Sequence, residues 1–147
     1  MAGMRIGYAM GNAALIKALN DVKYSINSYT MNQTAILAGV EAVKDEKCFR
    51  EGIEKLLATR SRAEQRFREL GFSFPESGAN FLFVTHEYIP AKTIFEALRS
   101  RNIYVRYFNA PRIDNYLRIS IGTDKEMNCL FVDIINLDNL GTEIQVI

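Results

Sequence analysis

Histidine, cysteine and proline are scarce in this sequence: one, two and three among 147 residues. Three prolines and nine glycines exclude a collagen-like repeat and a low-complexity linker. A hydrophobic fraction of 48% with 24% charged residues excludes a disordered chain. Charge of one sign is also missing. Eighteen basic against seventeen acidic residues leave a net charge of +1, so nothing draws the chain to nucleic acid or an anionic membrane. No apolar run approaches the roughly 18–20 residues of a membrane span. The opening Met1 to Arg5 lacks the layout of a signal peptide. A lone histidine, His86, and two distant cysteines, Cys48 and Cys129, cannot make a zinc site, so no metal is expected. They also give no support to a histidine-activated nucleophile. His86 reads as a surface loop residue. Each cysteine falls in an apolar helical pattern and reads as a reduced core thiol, which points to the cytoplasm.

What remains is a chain of single-domain length with alternating periodicities. Met4 to Met10 alternates as a short strand, stopped by Gly11-Asn12. A helix follows from Ala13 to Leu19, then a polar connector over Asp21 to Ser28. A second helix is expected over about Asn32 to Val43 and a long one over about Glu46 to Leu70, with Gly71 as its stop. The period then changes. Short strands are expected at Phe72 to Phe74, at Asn80 to Val84 as a buried strand, at Ile103 to Phe108 and at Tyr116 to Ile121. A helix opened by Pro90 runs to Arg101. Thr123 to Glu126 forms a capping box that starts the last helix. The tail, Asn139 to Ile147, reads as a strand or a disordered end. Few strands with short connections imply an α+β layer: a mostly antiparallel sheet covered on one face by helices.

Chemistry is sparse. Arg118 projects from a strand opposite to Leu117, Ile119 and Ile121, and Arg106 does the same on a neighbouring strand. Two guanidinium groups on one sheet face would form a pocket for a carboxylate or phosphate, because the planar fork donates two parallel charge-assisted hydrogen bonds. An arginine on the wet side of a sheet is most often simply solvated. Arg5 lies between Gly3 and Gly7, which let the backbone approach a ligand such as a phosphate. Asn80 opens a strand after the Ser77-Gly78 turn and suits either a ligand or its own backbone. Tyr8, Tyr24, Tyr104, Tyr107 and Tyr116 read as core or rim. No phosphate-binding loop, dinucleotide fingerprint or catalytic carboxylate pair is present.

At these arginines the chain resembles a known family, the fold-type-I pyridoxal-phosphate aminotransferases, and within it the histidinol-phosphate aminotransferases. Ala2 to Ala9 resembles the family's AGLRxGYA segment, and Val22 to Asn27 its VKxPYNV connector without the proline. Pro75 to Phe81 resembles PSxANF with one added residue, Asn102 to Arg106 resembles GIxVR, and Leu117 to Thr123 resembles LRITxGT. The resemblance covers Ala2 to about Leu137. It implies the family's small domain over residues 32–138 with its lead-in helices, a remnant of the pyridoxal-phosphate-binding large domain over 1–31, and a tail over 139–147. It implies that Arg5 binds the cofactor phosphate, that Arg118 holds the substrate anion, that Arg106 serves the phosphate end of histidinol phosphate, and that Asn80 lies near the active site. The family's Schiff-base lysine stands before the position matched by Ala2. No catalytic residue is therefore expected in this chain; Lys17, Lys23 and Lys44 have no matching context. The chain alone is expected to bind no pyridoxal phosphate and to be inactive.

The implied full-length enzyme is a cytoplasmic homodimer. It moves an amino group between a small-molecule donor and a 2-oxo acid, in histidine biosynthesis. Another amino-acid aminotransferase or a threonine-phosphate decarboxylase would share these arginines. A non-catalytic α+β module that binds anions or mediates dimerisation is the alternative of a different class.

Overall fold

The computed structural model describes the backbone of residues 2–144 and the side chains of residues 3–137. The chain divides into two compact units, Met1–Glu51 and Gly52–Ile147.

The first unit is helical. A single 3-10 turn, Ala2–Met4, leads into irregular chain up to Asn12, where a strand over Met4 to Met10 is expected. Alternation alone does not make a strand. Its backbone groups need a ladder partner, and none of the described strands pairs with this segment, which is almost entirely exposed to water. Helix α1 covers Ala13–Ile26, with the Asn12 side chain accepting the Ala14 N–H at 2.9 Å. It runs seven residues past the expected end at Leu19, through the polar connector. Leu15, Leu19, Val22 and Ile26 keep helical spacing across that stretch, and the Lys17–Asp21 pair at 2.8 Å supports it one turn apart. Helix α2, Gln33–Lys44, is capped by Asn32, whose side chain accepts the Ala35 N–H at 2.7 Å. Asp45 then ends α2 and its carboxylate accepts the Cys48 N–H at the start of the next helix.

That helix, α3, covers Glu46–Glu69 and carries the chain into the second unit. Gly71 stops it at φ +75°, a conformation that side chains disfavour. A Cβ there would also stand 3.2 Å from His86 Nε2, a tight approach that adds to the backbone's preference for glycine. The four strands among the described residues are β1 (Phe72–Ser73), β2 (Phe81–His86), β3 (Arg106–Tyr107) and β4 (Leu117–Ser120). They form one sheet in the order β1-β2-β4-β3 with every pairing antiparallel. Helix α4 (Ala91–Ser100) follows β2, and helix α5 (Asp124–Ile144) follows β4.

One face of the sheet makes the core. Leu82 and Val84 of β2 with Leu117 and Ile119 of β4 meet Ala63 and Phe67 of α3, Ile94 and Leu98 of α4, and Met127, Leu130, Phe131 and Ile134 of α5. The α+β architecture, an antiparallel sheet with helices on one side, is therefore as expected from the sequence.

Several boundaries move, each for a physical reason. β2 extends to His86 because Thr85 and His86 find partners in Ser73 and Phe72. His86 is consequently buried, 7% exposed, and not a surface loop residue. Its Nδ1 accepts the Tyr88 and Ile89 N–H groups at 3.1 and 3.0 Å, and its ring meets Phe72 edge-on at 4.7 Å. β3 is shorter than expected because α4 ends in a left-handed Asn102 at φ 62°. The Asn102 and Ile103 N–H groups return to the carbonyls of Arg99 and Leu98, which draws the chain into a cap before pairing begins. Pro90 precedes α4 as its cap and has no side-chain acceptor; Asn115 supplies one, accepting the Ala91 N–H at 3.2 Å. α5 continues to Ile144 where a tail is expected from Asn139, since no proline interrupts the helix; residues 145–147 lie outside the described residues. Cys48 and Cys129 are free thiols as expected but exposed, on the outward sides of α3 and α5, and so are not core residues.

Candidate anion-binding face

The second face of the sheet carries the chemistry. Strand alternation turns Phe81, Phe83 and Thr85 away from the buried Leu82 and Val84, and turns Arg118 and Ser120 away from Leu117 and Ile119. The register aligns them. Phe83 lies opposite Arg118, and Arg118 lies opposite Arg106, so the row across the three strands reads Phe83, Arg118, Arg106. Phe81 lies opposite Ser120 in the adjacent row. The two arginines read as a pair are thus directly opposed on one open face. Like charges so placed destabilise a sheet unless something answers them. Among the described residues neither guanidinium is paired with a carboxylate. The pair is suited to a carboxylate or phosphate.

Aromatic rings surround the pair. Phe83 stacks on Tyr116 with centroids 4.6 Å apart and planes at 8°, and meets Phe108 at 5.9 Å. The Arg118 guanidinium carbon stands 5.3 Å from the Phe81 ring centre, and that of Arg106 stands 5.5 Å from the Phe108 ring centre. Asn115 fastens the far edge, donating to Thr85 Oγ1 at 3.0 Å. Phe81 and Phe83 are half-buried and line this face, where the continuous apolar run implied a strand buried on both sides. None of Phe81, Phe83, Phe108 or Tyr116 was legible as a site residue from composition. A signal did exist, because Phe108 and Tyr116 stand two positions from Arg106 and Arg118 within the strands expected over Ile103 to Phe108 and Tyr116 to Ile121, and two is the strand period.

Asn80 immediately precedes β2. Its carbonyl accepts the Ile121 N–H at 2.9 Å, prolonging the β2–β4 ladder, while the residue itself is exposed. Arg5 lies in the first unit, exposed, at φ 60°, with open space at Gly3 and Gly7 on either side. The carboxylates held below their usual range belong to helices. Asp124, at the start of α5, accepts from Thr59 Oγ1 at 2.6 Å and from Arg62, and these two contacts in that order lower it. Glu126 is lowered by the Thr123 N–H, at 2.7 Å, and then by the Thr123 hydroxyl, which is the expected capping box. Glu69 at the end of α3 is lowered by Arg66 and then Gln65. No group of three or more metal-ligating side chains occurs among the described residues, nor any helix long and apolar enough to cross a membrane.

The chain that folds into this antiparallel sheet, with helices on one side and opposed arginines on the other, matches a known enzyme family. It belongs to the class I and II aminotransferases, matching the family description "Aminotransferase class I and II" over residues 1–135. Among its relatives, the histidinol-phosphate aminotransferase of Clostridium acetobutylicum is 51% identical over 128 residues, covering 87% of this chain and 36% of that protein. The histidinol-phosphate aminotransferase of Brachyspira hyodysenteriae is 44% identical over 133 residues, covering 90% of this chain and 37% of its own length. The chain thus spans a little over a third of the length of these curated relatives. The crystal structure of a histidinol-phosphate aminotransferase from Clostridium acetobutylicum shares the fold, with a TM-score of 0.81 over 95% of this chain and 42% of that one at 23% identity. A histidinol-phosphate aminotransferase from Sinorhizobium meliloti, solved with pyridoxal 5'-phosphate, gives 0.77 over 93% of this chain and 38% of that one at 25% identity.

The family implies pyridoxal phosphate, which needs an amine for its aldehyde and donors for its phosphate. Arg5 is a fitting phosphate donor. Every lysine of this chain is exposed, and Lys17 and Lys44 are surface ion pairs with Asp21 and Glu41. By donor chemistry the Arg5 guanidinium suits a phosphate, while no lysine is buried in a setting that would keep its amine uncharged for an aldehyde.

Proposed function

We propose that this chain is the C-terminal portion of a pyridoxal-phosphate aminotransferase. The enzyme would exchange an amino group between histidinol phosphate and 2-oxoglutarate, in histidine biosynthesis. The observation that carries the reading is the directly opposed, unpaired Arg106–Arg118 pair on the open sheet face. The names of the similar proteins support the choice of substrate.

In this reading pyridoxal phosphate, when bound, supplies the electron sink for amino transfer. Arg5 contributes a charge-assisted contact to its phosphate. Arg118 holds the substrate's anion, Arg106 its phosphate end, and Asn80 stands at the rim of the same sheet. Residues 1–31 belong with the large domain, residues 32–138 form the small domain, and 139–147 form a tail. The enzyme is a cytoplasmic homodimer, and the 147-residue chain alone is inactive and binds no cofactor.

Amino-donor profiling of the holoenzyme containing this sequence tests the substrate. Turnover with histidinol phosphate well above that with phenylalanine is expected; the reverse preference overturns the assignment and favours an aromatic amino-acid aminotransferase. Turnover by the purified 147-residue chain would overturn its proposed inactivity.

A further inference from the structure

We propose that Phe81 and Phe108 are positioning residues that hold the two guanidinium groups apart and aimed outward. The inference rests on the reading of Arg106 and Arg118 as the anion site.

Register places the two arginines directly opposite one another, where facing side chains on adjacent antiparallel strands start about 4.5–5.5 Å apart. Left alone, two like charges at that spacing would swing away into solvent along many rotamers, and an arginine carries several flexible bonds. Each guanidinium instead stands over its own ring, Arg118 over Phe81 at 5.3 Å and Arg106 over Phe108 at 5.5 Å. Both distances fall within the range in which a ring face attracts a cation.

The rings lie on opposite sides of the arginine row. Phe81 is aligned with Ser120, two residues beyond Arg118 along β4. Phe108 meets Phe83, which stacks on Tyr116, two residues before Arg118. The seats therefore draw the charges in opposite directions along the strands, which relieves their repulsion and leaves a gap between two oriented forks. The rings are themselves held. Phe108 leans on Phe83, Phe83 on Tyr116, and Phe81 sits on a ladder continued by the Asn80 carbonyl. An anion entering the gap meets donors whose orientation is already fixed, so less side-chain freedom is lost on binding.

The test uses the 147-residue chain with inorganic phosphate as probe, followed by the NMR signals of the arginine Nε–Hε groups. In the unsubstituted chain the Arg106 and Arg118 signals should be displaced by the rings beneath them. Phe81→Leu should return the Arg118 signal to its solvent position, and Phe108→Leu that of Arg106. Each should weaken phosphate binding roughly two- to fivefold, the factor a surface cation–ring contact is worth. Phe81→Tyr and Phe108→Tyr, which keep a ring, should restore both readouts.

Arg118→Gln should abolish most of the phosphate response. If it does while both leucine variants bind as the parent with unmoved arginine signals, the positioning role is overturned and the anion site stands. If phosphate fails to bind, or binds Arg118→Gln equally, the anion site itself is overturned. Should a leucine variant not fold, the signals of the unsubstituted chain decide. Displaced arginine resonances support the seats, and solvent-like ones overturn them.

Discussion

The two faces of one four-stranded sheet have opposite characters. On the covered face Leu82, Val84, Leu117 and Ile119 are at most 2% exposed and packed under three helices. On the other face the same two strands present Phe81, Phe83, Arg118 and Ser120, with Arg106 alongside, none of them buried. Neighbours in sequence thus serve different ends. Leu117 and Ile119 stabilise the unit, while Arg118 between them adds a like-charge conflict with Arg106. The fold holds that conflict because the covered face secures the strands. A site can afford unfavourable electrostatics where packing beneath it has already fixed the backbone.

Substitutions on the two faces should separate these roles. The largest effect belongs to the covered face. Leu82→Ala should lower the stability of the chain by about 2–5 kcal/mol, read from denaturant unfolding, because it leaves a cavity among Phe67, Ile94 and Leu98. A loss as large from Phe83→Leu on the open face would break the comparison. Next comes binding. Arg118→Gln should weaken phosphate by roughly ten- to a hundredfold, the worth of about 1.5–3 kcal/mol for hydrogen bonds to a charged group. It should leave stability nearly unchanged, since the exposed guanidinium gives up a like-charge neighbour together with its ring contact, and a marked drop in melting temperature would count against that picture.

At the end of β2, His86→Ala strips the acceptor from the Tyr88 and Ile89 N–H groups and should cost about 1–3 kcal/mol, read from the same unfolding curves. The smallest effect is acid sensitivity at the start of α5. Asp124 and Glu126 are held below their usual range when folded, so their contribution is fully present above the unfolded carboxylate values of about 4 and lost as pH falls through the lower folded values. The Thr123 amide signal should follow that loss. Thr59→Val should reduce it for Asp124 and leave Glu126 unaffected.

Elements whose signals are local were legible in the sequence. Thr123 and Glu126 form the capping box that their spacing implies, and Gly71 stops α3. The opposition of Arg106 and Arg118 was legible as far as strand parity carries it, since both had to leave the apolar face. Their seats on Phe81 and Phe108 were not, because side-chain direction and register across β2, β3 and β4 decide which ring lies under which guanidinium. The strand expected over Met4 to Met10 did not form for the same kind of reason, alternation without a partner. His86 was misplaced because its burial depends on β1 pairing with the second half of β2, a contact between segments distant in sequence.

By itself the sequence determined the fold class, the order of helices and strands in the second unit, and the family, through arginine-bearing motifs spread along its length. Caps, periodicities and motifs act over a few residues and survive without a partner. Only the tertiary structure decided which strands pair, where His86 is buried, and that two arginines twelve residues apart face each other between aromatic rings. Those outcomes depend on hydrogen-bond registers between separate segments, and a register is a property of two strands together.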